Sequence, residues 1–208
     1  MPAQPVSLSV SLPLEAGMRL SRDEFHALYE AHPEIHKAEL IDGVVYVPSP
    51  VSKYHSPQHW QIAGWLWAYA NSRTDVHGED NITTILPGDN EVQPDCALWI
   101  EGGQAAYGDD GHLHGAPELV AEIAASSRQY DLGPKKERYR KAGVREYLVW
   151  RSIDKQVDWW VLEAGQYVAL TPGPDGITES TVFPVLRLDA ARLGSGDTSR
   201  LLADLKLA

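Results

Sequence analysis

The sequence predicts an α/β protein of the α+β kind, in which a mixed β-sheet is flanked by helices. Segments with helical apolar spacing alternate along the chain with short apolar or alternating segments that are typical of strands. Such a mixture packs stably when the helices cover the faces of a sheet. The 208 residues suffice for one domain with a sizeable core and are few for two.

The composition is typical of a globular protein and gives no sign of export or membrane insertion. Hydrophobic residues make up 43% of the chain, and no apolar run reaches the roughly 18 residues that a membrane span needs. Residues 1–14 contain no Lys or Arg, which a secretory signal would have. The single cysteine, Cys96, excludes an intrachain disulfide framework. We therefore expect a cytoplasmic protein without a membrane segment.

The net charge of −11 argues against nucleic-acid binding, because such proteins normally present a basic surface to phosphates. The distribution of charge is more informative than the sum. Residues 128–145 are rich in Lys and Arg, whereas residues 75–118 are mainly acidic. A carboxylate-rich stretch followed by a basic helix is expected of a site for a metal and a phosphate. An ordinary charged helix on an acidic protein would show the same pattern.

The N-terminal third is predicted to contain an arm, a helix and a hairpin. The arm spans residues 1–20 and includes a candidate edge strand in which Ser7, Ser9 and Ser11 alternate with apolar residues. Ser21 and Glu24 form a capping box that opens a helix ending near residue 31. Residues 38–47 are predicted to form a hairpin that turns at Asp42-Gly43.

The central part is predicted to contain a long core helix over residues 55–71, followed by strands. Residues 81–86 and 91–100 are predicted to form a hairpin around a Pro-Gly-Asp-Asn turn. Residues 101–117 have no apolar period and are expected to form a mobile loop. The short apolar run 118–124 suits a central strand.

The C-terminal part begins with a helix for which Asp131 is the expected N-cap and Gly143 the expected end. A strand over residues 144–150 and a hairpin over residues 156–170 should follow. We expect a single domain at residues 21–188 with its core at about 55–150, and a C-terminal tail at 189–208.

Two carboxylates are candidates for chemistry. Asp95 and Glu122 each lie in a segment predicted to be a strand, where a buried carboxylate is costly unless it is paired or bound to a metal. If the two strands are neighbours, both side chains can bind one Mg²⁺, which prefers oxygen ligands. The alternative is that each carboxylate faces solvent from an alternating strand.

Lys135 is the third candidate, one turn into the helix that follows the Glu122 strand. An ammonium group there would stabilise negative charge that grows on a reacting phosphate. The neighbouring basic residues support the alternative of a solvent-facing lysine.

Several short motifs follow one another along the chain in a distinctive order. They are Glu39-Leu40-Ile41-Asp42-Gly43, Ser49-Pro50 with His55, Pro94-Asp95, Glu122-Ile123, Asp131-Leu132-Gly133, Lys135, Tyr139 and Gly143-Val144-Arg145-Glu146-Tyr147-Leu148-Val149. Over residues 21–168 the chain resembles the Uma-type family, labelled "putative restriction endonucleases", of the PD-(D/E)XK nuclease-like superfamily.

The resemblance implies a restriction-endonuclease-like mixed sheet flanked by helices, with a helix-hairpin added at the N-terminus and a β-hairpin at the C-terminus. It also implies that Asp95, Glu122 and the backbone carbonyl of Ile123 bind Mg²⁺ or Mn²⁺. The usual lysine position, two residues after the glutamate, is Ala124 here, and Lys135 matches the lysine of this family. The chain departs from the family's Ser-Pro-Ser at 125–127, where losing the proline puts the placement of Lys135 in question.

Four further residues are supporting candidates, each with an ordinary structural alternative. Glu39 belongs to the first family motif and is equally explained as a hairpin residue. His55, four residues before His59, is otherwise a surface or capping histidine, and Asp131 is otherwise a helix cap. Tyr139 is otherwise a core residue.

Two hypotheses follow from the sequence. The first is a metal-dependent endonuclease that hydrolyses phosphodiester bonds, in DNA in preference to RNA, and that forms a homodimer. The second is a non-catalytic module that kept the nuclease fold for self-association or for binding a protein partner. The acidic net charge and the altered turn at 125–127 favour the second hypothesis.

Overall fold

The computed structural model describes residues 13–48, 52–196 and 205. The helices are α1 (Arg22–Glu30), α2 (Ser56–Asn71), α3 (Arg128–Tyr130), α4 (Lys136–Ala142) and α5 (Ala190–Ser195). The strands are β1 (Glu39–Ile41), β2 (Val44–Tyr46), β3 (Val76–Asp80), β4 (Thr84–Leu86), β5 (Asn90–Val92), β6 (Cys96–Ile100), β7 (Ala106–Tyr107), β8 (Leu113–His114), β9 (Leu119–Ala124), β10 (Glu146–Arg151), β11 (Gln156–Glu163), β12 (Gln166–Ala169), β13 (Ile177–Glu179) and β14 (Arg187–Asp189).

A six-stranded sheet, which we call the main sheet, has the strand order β12-β11-β10-β9-β6-β3. Its strands β9 and β10 are parallel, and the other neighbours are antiparallel. All six residues of β9 are buried, which confirms the central strand predicted from its apolar sequence.

Helix α2 covers one face of the main sheet. Ile62, Trp65 and Tyr69 are buried on one side of the helix, and the Trp65 ring meets the Trp159 ring edge to face. Alternate residues of β9, such as Leu119 and Ile123, belong to the same hydrophobic cluster as this helix. The predicted core helix is therefore present from Ser56 to Asn71.

A second six-stranded sheet, with the order β2-β1-β5-β4-β8-β7, lies on the other side. Val120 and Ala124 of β9 join a hydrophobic cluster with Ile41, Val92 and Tyr139, which come from the second sheet and α4. The hairpin β1-β2 turns at Asp42-Gly43 as predicted, and both turn residues have positive φ. The main sheet is thus packed between α2 and the second sheet with α4.

The predicted strand 91–100 is wrong as a continuous element. Strand β5 ends at Val92 in the second sheet, and β6 begins at Cys96 in the main sheet. Pro94 lacks the N–H that a ladder requires, so the chain leaves one sheet and enters the other at this point. Asp95 lies in this crossing segment and not within a strand.

Two other predictions around this hairpin need correction. The predicted hairpin is formed by β4 and β5 only. Strand β6, which was predicted to be part of it, pairs instead with β3 and β9 in the main sheet. Strand β3 was not predicted, because Val76 is its only large apolar residue and its sequence therefore lacks apolar alternation. Val76 is also its only buried residue. Residues 101–117, predicted to be a mobile loop, contain the short strands β7 and β8.

The helical region before β10 also differs from prediction at one residue. The helix begins at Arg128, and Asp131 has helical backbone angles inside a π-helical turn, so it is not an N-cap. The backbone is kinked at Gly133, just before Pro134. Gly143 ends α4 with φ +90°, as predicted.

The two ends of the chain pack on these layers where they are described. Leu14 is buried against α1 and the first hairpin, and Leu205 is buried in the cluster that includes α2. The predicted edge strand around Ser7, Ser9 and Ser11 and the Ser49-Pro50 motif lie outside the described residues. In the described parts of the chain, no helix has the length and apolar character to cross a bilayer.

Two glycine substitutions should have opposite effects on stability. Gly143→Ala should lower the free energy of unfolding by about 1 kcal/mol, because an L-residue is strained in the left-handed region. The matched control Gly194→Ala should raise it by about 0.5 kcal/mol, because Gly194 lies within α5 and an added Cβ would meet its neighbours at ordinary contact distances. Urea unfolding measures both values. Equal effects of the two substitutions would contradict the structure.

Candidate active site

Asp95 and Glu122 meet on the face of the main sheet that is turned toward the second sheet. Glu122 lies between Val120 and Ala124 on this face of β9, and Asp95 directly precedes β6, the neighbour of β9. The Ile123 N–H donates a hydrogen bond to Asp95 Oδ2 at 2.9 Å. Both side chains are buried. The structure therefore brings together the two carboxylates that the sequence singled out.

The Asp95 carboxylate contacts one ammonium group, from Lys37, and one imidazole ring, from His55. The Lys37 ammonium lies 3.0 Å from Oδ1, and His55 Nε2 lies 3.0 Å from Oδ2. His59 Nε2 lies 2.9 Å from the Asp95 carbonyl oxygen. Burial by itself raises the pKa of Asp95, but Lys37 and His55 outweigh it and hold this pKa well below its usual range. Asp95 is therefore ionised at neutral pH.

Glu122 is in a different electrostatic environment. Lys135 Nζ lies 2.8 Å from Glu122 Oε1, and the Tyr139 hydroxyl donates a hydrogen bond to the same oxygen at 3.0 Å. Burial raises the pKa of Glu122 to about 8; Lys135 opposes this shift, and Asp95 and Asp131 add to it. Two neighbouring carboxyl groups thus have pKa values shifted in opposite directions.

Lys135 joins Glu122 to Glu39. Its ammonium nitrogen lies 2.9 and 3.1 Å from the two Glu39 oxygens, and the side chain is almost fully buried. Glu39 Oε1 also accepts a hydrogen bond from the Gln93 N–H at 2.8 Å. Burial opposes the charge of Lys135, but Glu122 and Glu39 raise its pKa well above the ordinary value. Lys135 reaches the site although the proline at 125–127 is absent.

Asp131 is buried behind the other carboxylates. Its Oδ2 accepts a hydrogen bond from the Ser127 hydroxyl at 2.5 Å, and its backbone carbonyl accepts one from the Tyr147 hydroxyl at 2.9 Å. Burial raises the pKa of Asp131. These contacts fix the start of the helical region that carries Lys135.

Two residues of the site were missed by the sequence-based predictions. Lys37 contacts Asp95, and the one signal in the sequence that could have indicated it is its place two residues before Glu39 of the first family motif. Tyr130 places its ring centroid 5.8 Å from Lys135 Nζ, and its buried hydroxyl has no hydrogen-bond partner in the described part of the chain. No sequence pattern indicated Tyr130.

The carboxyl groups of the site outnumber its ammonium groups. The buried or half-buried carboxyl groups are those of Glu39, Asp95, Glu122 and Asp131, and the ammonium groups are those of Lys37 and Lys135. Burial raises the pKa of Glu122 to about 8, so a divalent cation bound here would replace a proton and favour the ionised carboxylate. Within the described ranges, no group of three His, Cys, Asp or Glu side chains is arranged to hold a metal ion. Two carboxylates and a carbonyl, completed by water, are nonetheless a donor set that Mg²⁺ uses.

Comparison with known proteins agrees with the fold and the motifs. The Uma2 family model, described as "Putative restriction endonuclease", matches residues 22–191. A search of curated proteins finds no match. Among solved structures, the fold is similar to that of "a putative nuclease belonging to DUF820" from Anabaena variabilis ATCC 29413. The TM-score is 0.69 at 17% identity, and the similarity covers 85% of this chain and 98% of the other.

The predicted mixed α+β fold of the nuclease type is confirmed by this structural similarity. The predicted family is confirmed as well, because the matched region spans most of the sequence. The chain belongs to the Uma2 family, described as "Putative restriction endonuclease".

Proposed function

We propose that this protein is a metal-dependent endonuclease that hydrolyses phosphodiester bonds, in DNA in preference to RNA. The observation that carries the proposal is the burial of Asp95 and Glu122 side by side, in a site where four carboxyl groups accompany two ammonium groups. Buried carboxyl groups are costly to ionise unless a cation is bound, so their clustering favours a metal site. The family description supports a nucleic-acid substrate and, through the word restriction, DNA.

Asp95, Glu122 and the carbonyl of Ile123 would hold the metal. The Ile123 N–H is directed at Asp95, and the N–H and C=O of one strand residue point to the same neighbouring strand. The carbonyl therefore faces the side on which Asp95 lies. A bound Mg²⁺ or Mn²⁺ would lower the pKa of a coordinated water and polarise the scissile phosphate.

The side chains around these ligands prepare them for this role. Lys37 and His55 keep Asp95 ionised, while Lys135 and Tyr139 fix the orientation of Glu122. In the hydrolysis, a water oxygen bonds to phosphorus as the bond from phosphorus to one sugar oxygen breaks. The water loses one proton and the leaving oxygen gains one, so a phosphomonoester and a hydroxyl end are formed.

Asp95→Asn should abolish both metal binding and cleavage. Wild-type protein should be stabilised as Mn²⁺ rises, by about 2.7 kcal/mol at a hundredfold excess over Kd, because only the folded state binds the ion. The variant should show no such shift in melting temperature and no cleavage of plasmid DNA. Asp109→Asn, which neutralises an exposed carboxylate away from the site, is the matched control. Wild-type cleavage by Asp95→Asn would refute the mechanism.

Metal binding should strengthen as pH rises toward the pKa of Glu122, about 8. The pKa of Glu122 is higher in the folded chain than in the unfolded chain. At a pH between these two pKa values, the metal-free folded state therefore binds one proton more than the unfolded state. The free energy of unfolding should therefore fall as pH rises through this window. A metal competes with that proton.

Melting temperatures with and without Mg²⁺ at about pH 6 and about pH 8.5 test this expectation. The Mg²⁺-induced rise should be larger at the higher pH in wild type and absent in Glu122→Gln. An equal rise at both pH values in wild type would show that Glu122 does not exchange a proton for the metal.

We also propose a homodimer formed through α2. Residues Ser56–Asn71 contain no Asp, Glu, Lys or Arg, and Trp60 and Trp67 are 81% and 67% exposed. Gly64 lies between them with open space around it. A two-fold axis near Gly64 would place Trp60 of each copy against Trp67 of the other. Two chains of charge −11 would then meet on an uncharged surface.

Replacing both Trp60 and Trp67 by Ser should convert a dimer to a monomer in sedimentation velocity, since the variant removes the two large apolar contacts. Ile153→Ser, which alters another exposed apolar residue, is the control and should leave the dimer intact. A monomeric wild type, or a double variant that stays dimeric, would contradict the proposal.

The same uncharged face favours the second candidate function, a nuclease-fold module that associates without catalysis. Metal titration separates the two functions. Absence of any Mn²⁺-induced stabilisation in a dimeric wild type would favour the association module.

The location expected from the sequence, the cytoplasm, is part of this proposal. The only cysteine, Cys96, is buried and unpaired, which is compatible with a reducing compartment.

A further inference from the structure

The two lysines of the site have different surroundings. Lys135 Nζ lies within 3.1 Å of three carboxylate oxygens, one from Glu122 and two from Glu39. An ammonium group has three protons to donate, so each of its donors already faces an acceptor. Only 3% of the Lys135 side chain is exposed. Lys135 is therefore enclosed and has no donor left for a substrate.

Lys37 is more open. Its nitrogen contacts one carboxylate oxygen, Asp95 Oδ1 at 3.0 Å, and 23% of its side chain is exposed. Across the described ranges, no second carboxylate lies within ion-pair distance of Lys37. Two of its three protons are thus left for an acceptor outside the protein.

The accessible side of the carboxylate pair is the Asp95 side. The His55 side chain, which also contacts Asp95, is 21% exposed. Oε1 of Glu122, by contrast, is covered by Lys135 and by Tyr139, both of which are buried. A bound strand therefore approaches Asp95 first, next to Lys37.

We propose that Lys37, and not Lys135, donates hydrogen bonds to the non-bridging oxygens of the scissile phosphate. Lys135 is then a positioning residue that holds Glu122 and Glu39. This assignment rests on the proposed hydrolysis of phosphodiesters. Negative charge grows on the non-bridging oxygens as water attacks phosphorus, and an ammonium group beside them stabilises it without transferring a proton. When Lys37 turns to the phosphate, Asp95 keeps its contacts with His55 and the Ile123 N–H.

The first experiment compares lysine variants in single-turnover cleavage of a DNA duplex at saturating Mg²⁺. Lys37→Met should lower the rate about 100-fold or more. Its melting temperature should fall less than that of Lys135→Met and its Mg²⁺-induced stabilisation should remain, because His55 and the Ile123 N–H still contact Asp95. Lys37→Arg should recover part of the rate. Lys141→Met, which removes an exposed lysine from α4, is the charge-matched control and should cleave normally.

Lys135→Met should differ from Lys37→Met mainly in stability. It leaves the buried carboxylates of Glu122 and Glu39 without their shared cation, so its melting temperature should fall strongly. A Lys37→Met variant that cleaves at the wild-type rate would overturn the assignment and leave the hydrolysis proposal standing. A wild type that cleaves no DNA would refute the hydrolysis itself.

The second experiment does not depend on activity. Acetylation by an N-hydroxysuccinimide ester, followed by mass spectrometry, should modify Lys37 and Lys141 but not the buried Lys135. A DNA duplex added with Ca²⁺ should protect Lys37 and leave Lys141 reactive. Equal labelling of Lys37 with and without the duplex would overturn its assignment as the phosphate contact. Labelling of Lys135 with protection by the duplex would assign that role to Lys135.

Discussion

The cost of burying negative charge is the constraint on which this structure depends. Carboxylates removed from water must be paired, or they destabilise the fold by several kcal/mol. Here Lys135 pairs with Glu39 on the second sheet and with Glu122 on the main sheet, so one ammonium group joins the two sheets and the helical region before α4. Removing one member of such a buried group costs far more than the pair itself contributes. The site and the packing of the layers therefore share the same contacts.

The crossing between the two sheets serves this arrangement. Pro94 cannot donate to a ladder, and the Gln93 N–H, released from the ladder, is taken up by the Glu39 carboxylate. The chain then enters β6 with Asp95 beside Glu122. An interrupted strand thus places one carboxylate, while a continuous central strand places the other. Irregular backbone therefore positions one of the two carboxylates of the candidate site.

The features that could be predicted from the sequence depend on short-range chemistry. The turn at Asp42-Gly43, the apolar face of α2, the burial of β9 and the left-handed end of α4 at Gly143 follow from neighbouring residues. Strand β3 was missed because it has too few apolar residues for a strand pattern. Pro94 signalled a break in the strand, but the sheet that β6 joins could not be predicted, because its partner β9 lies further along the chain. The same holds for the site: motif order indicated Asp95, Glu122 and Lys135, whereas the Lys37 contact requires a fold that joins residues 58 positions apart.

Only a small part of the acidic net charge lies in the candidate site. Four carboxyl groups are buried there beside two ammonium groups, so a divalent cation would neutralise at most two of the eleven net negative charges. Several basic side chains near the site are already engaged, since Arg138 pairs with Asp42 and Lys136 lies over the Trp160 ring. In the proposed mechanism, attraction to DNA then comes from the cation and Lys37 and not from a broad basic face. Few phosphates would be neutralised, so binding would depend only weakly on salt, unlike that of proteins with extended basic surfaces.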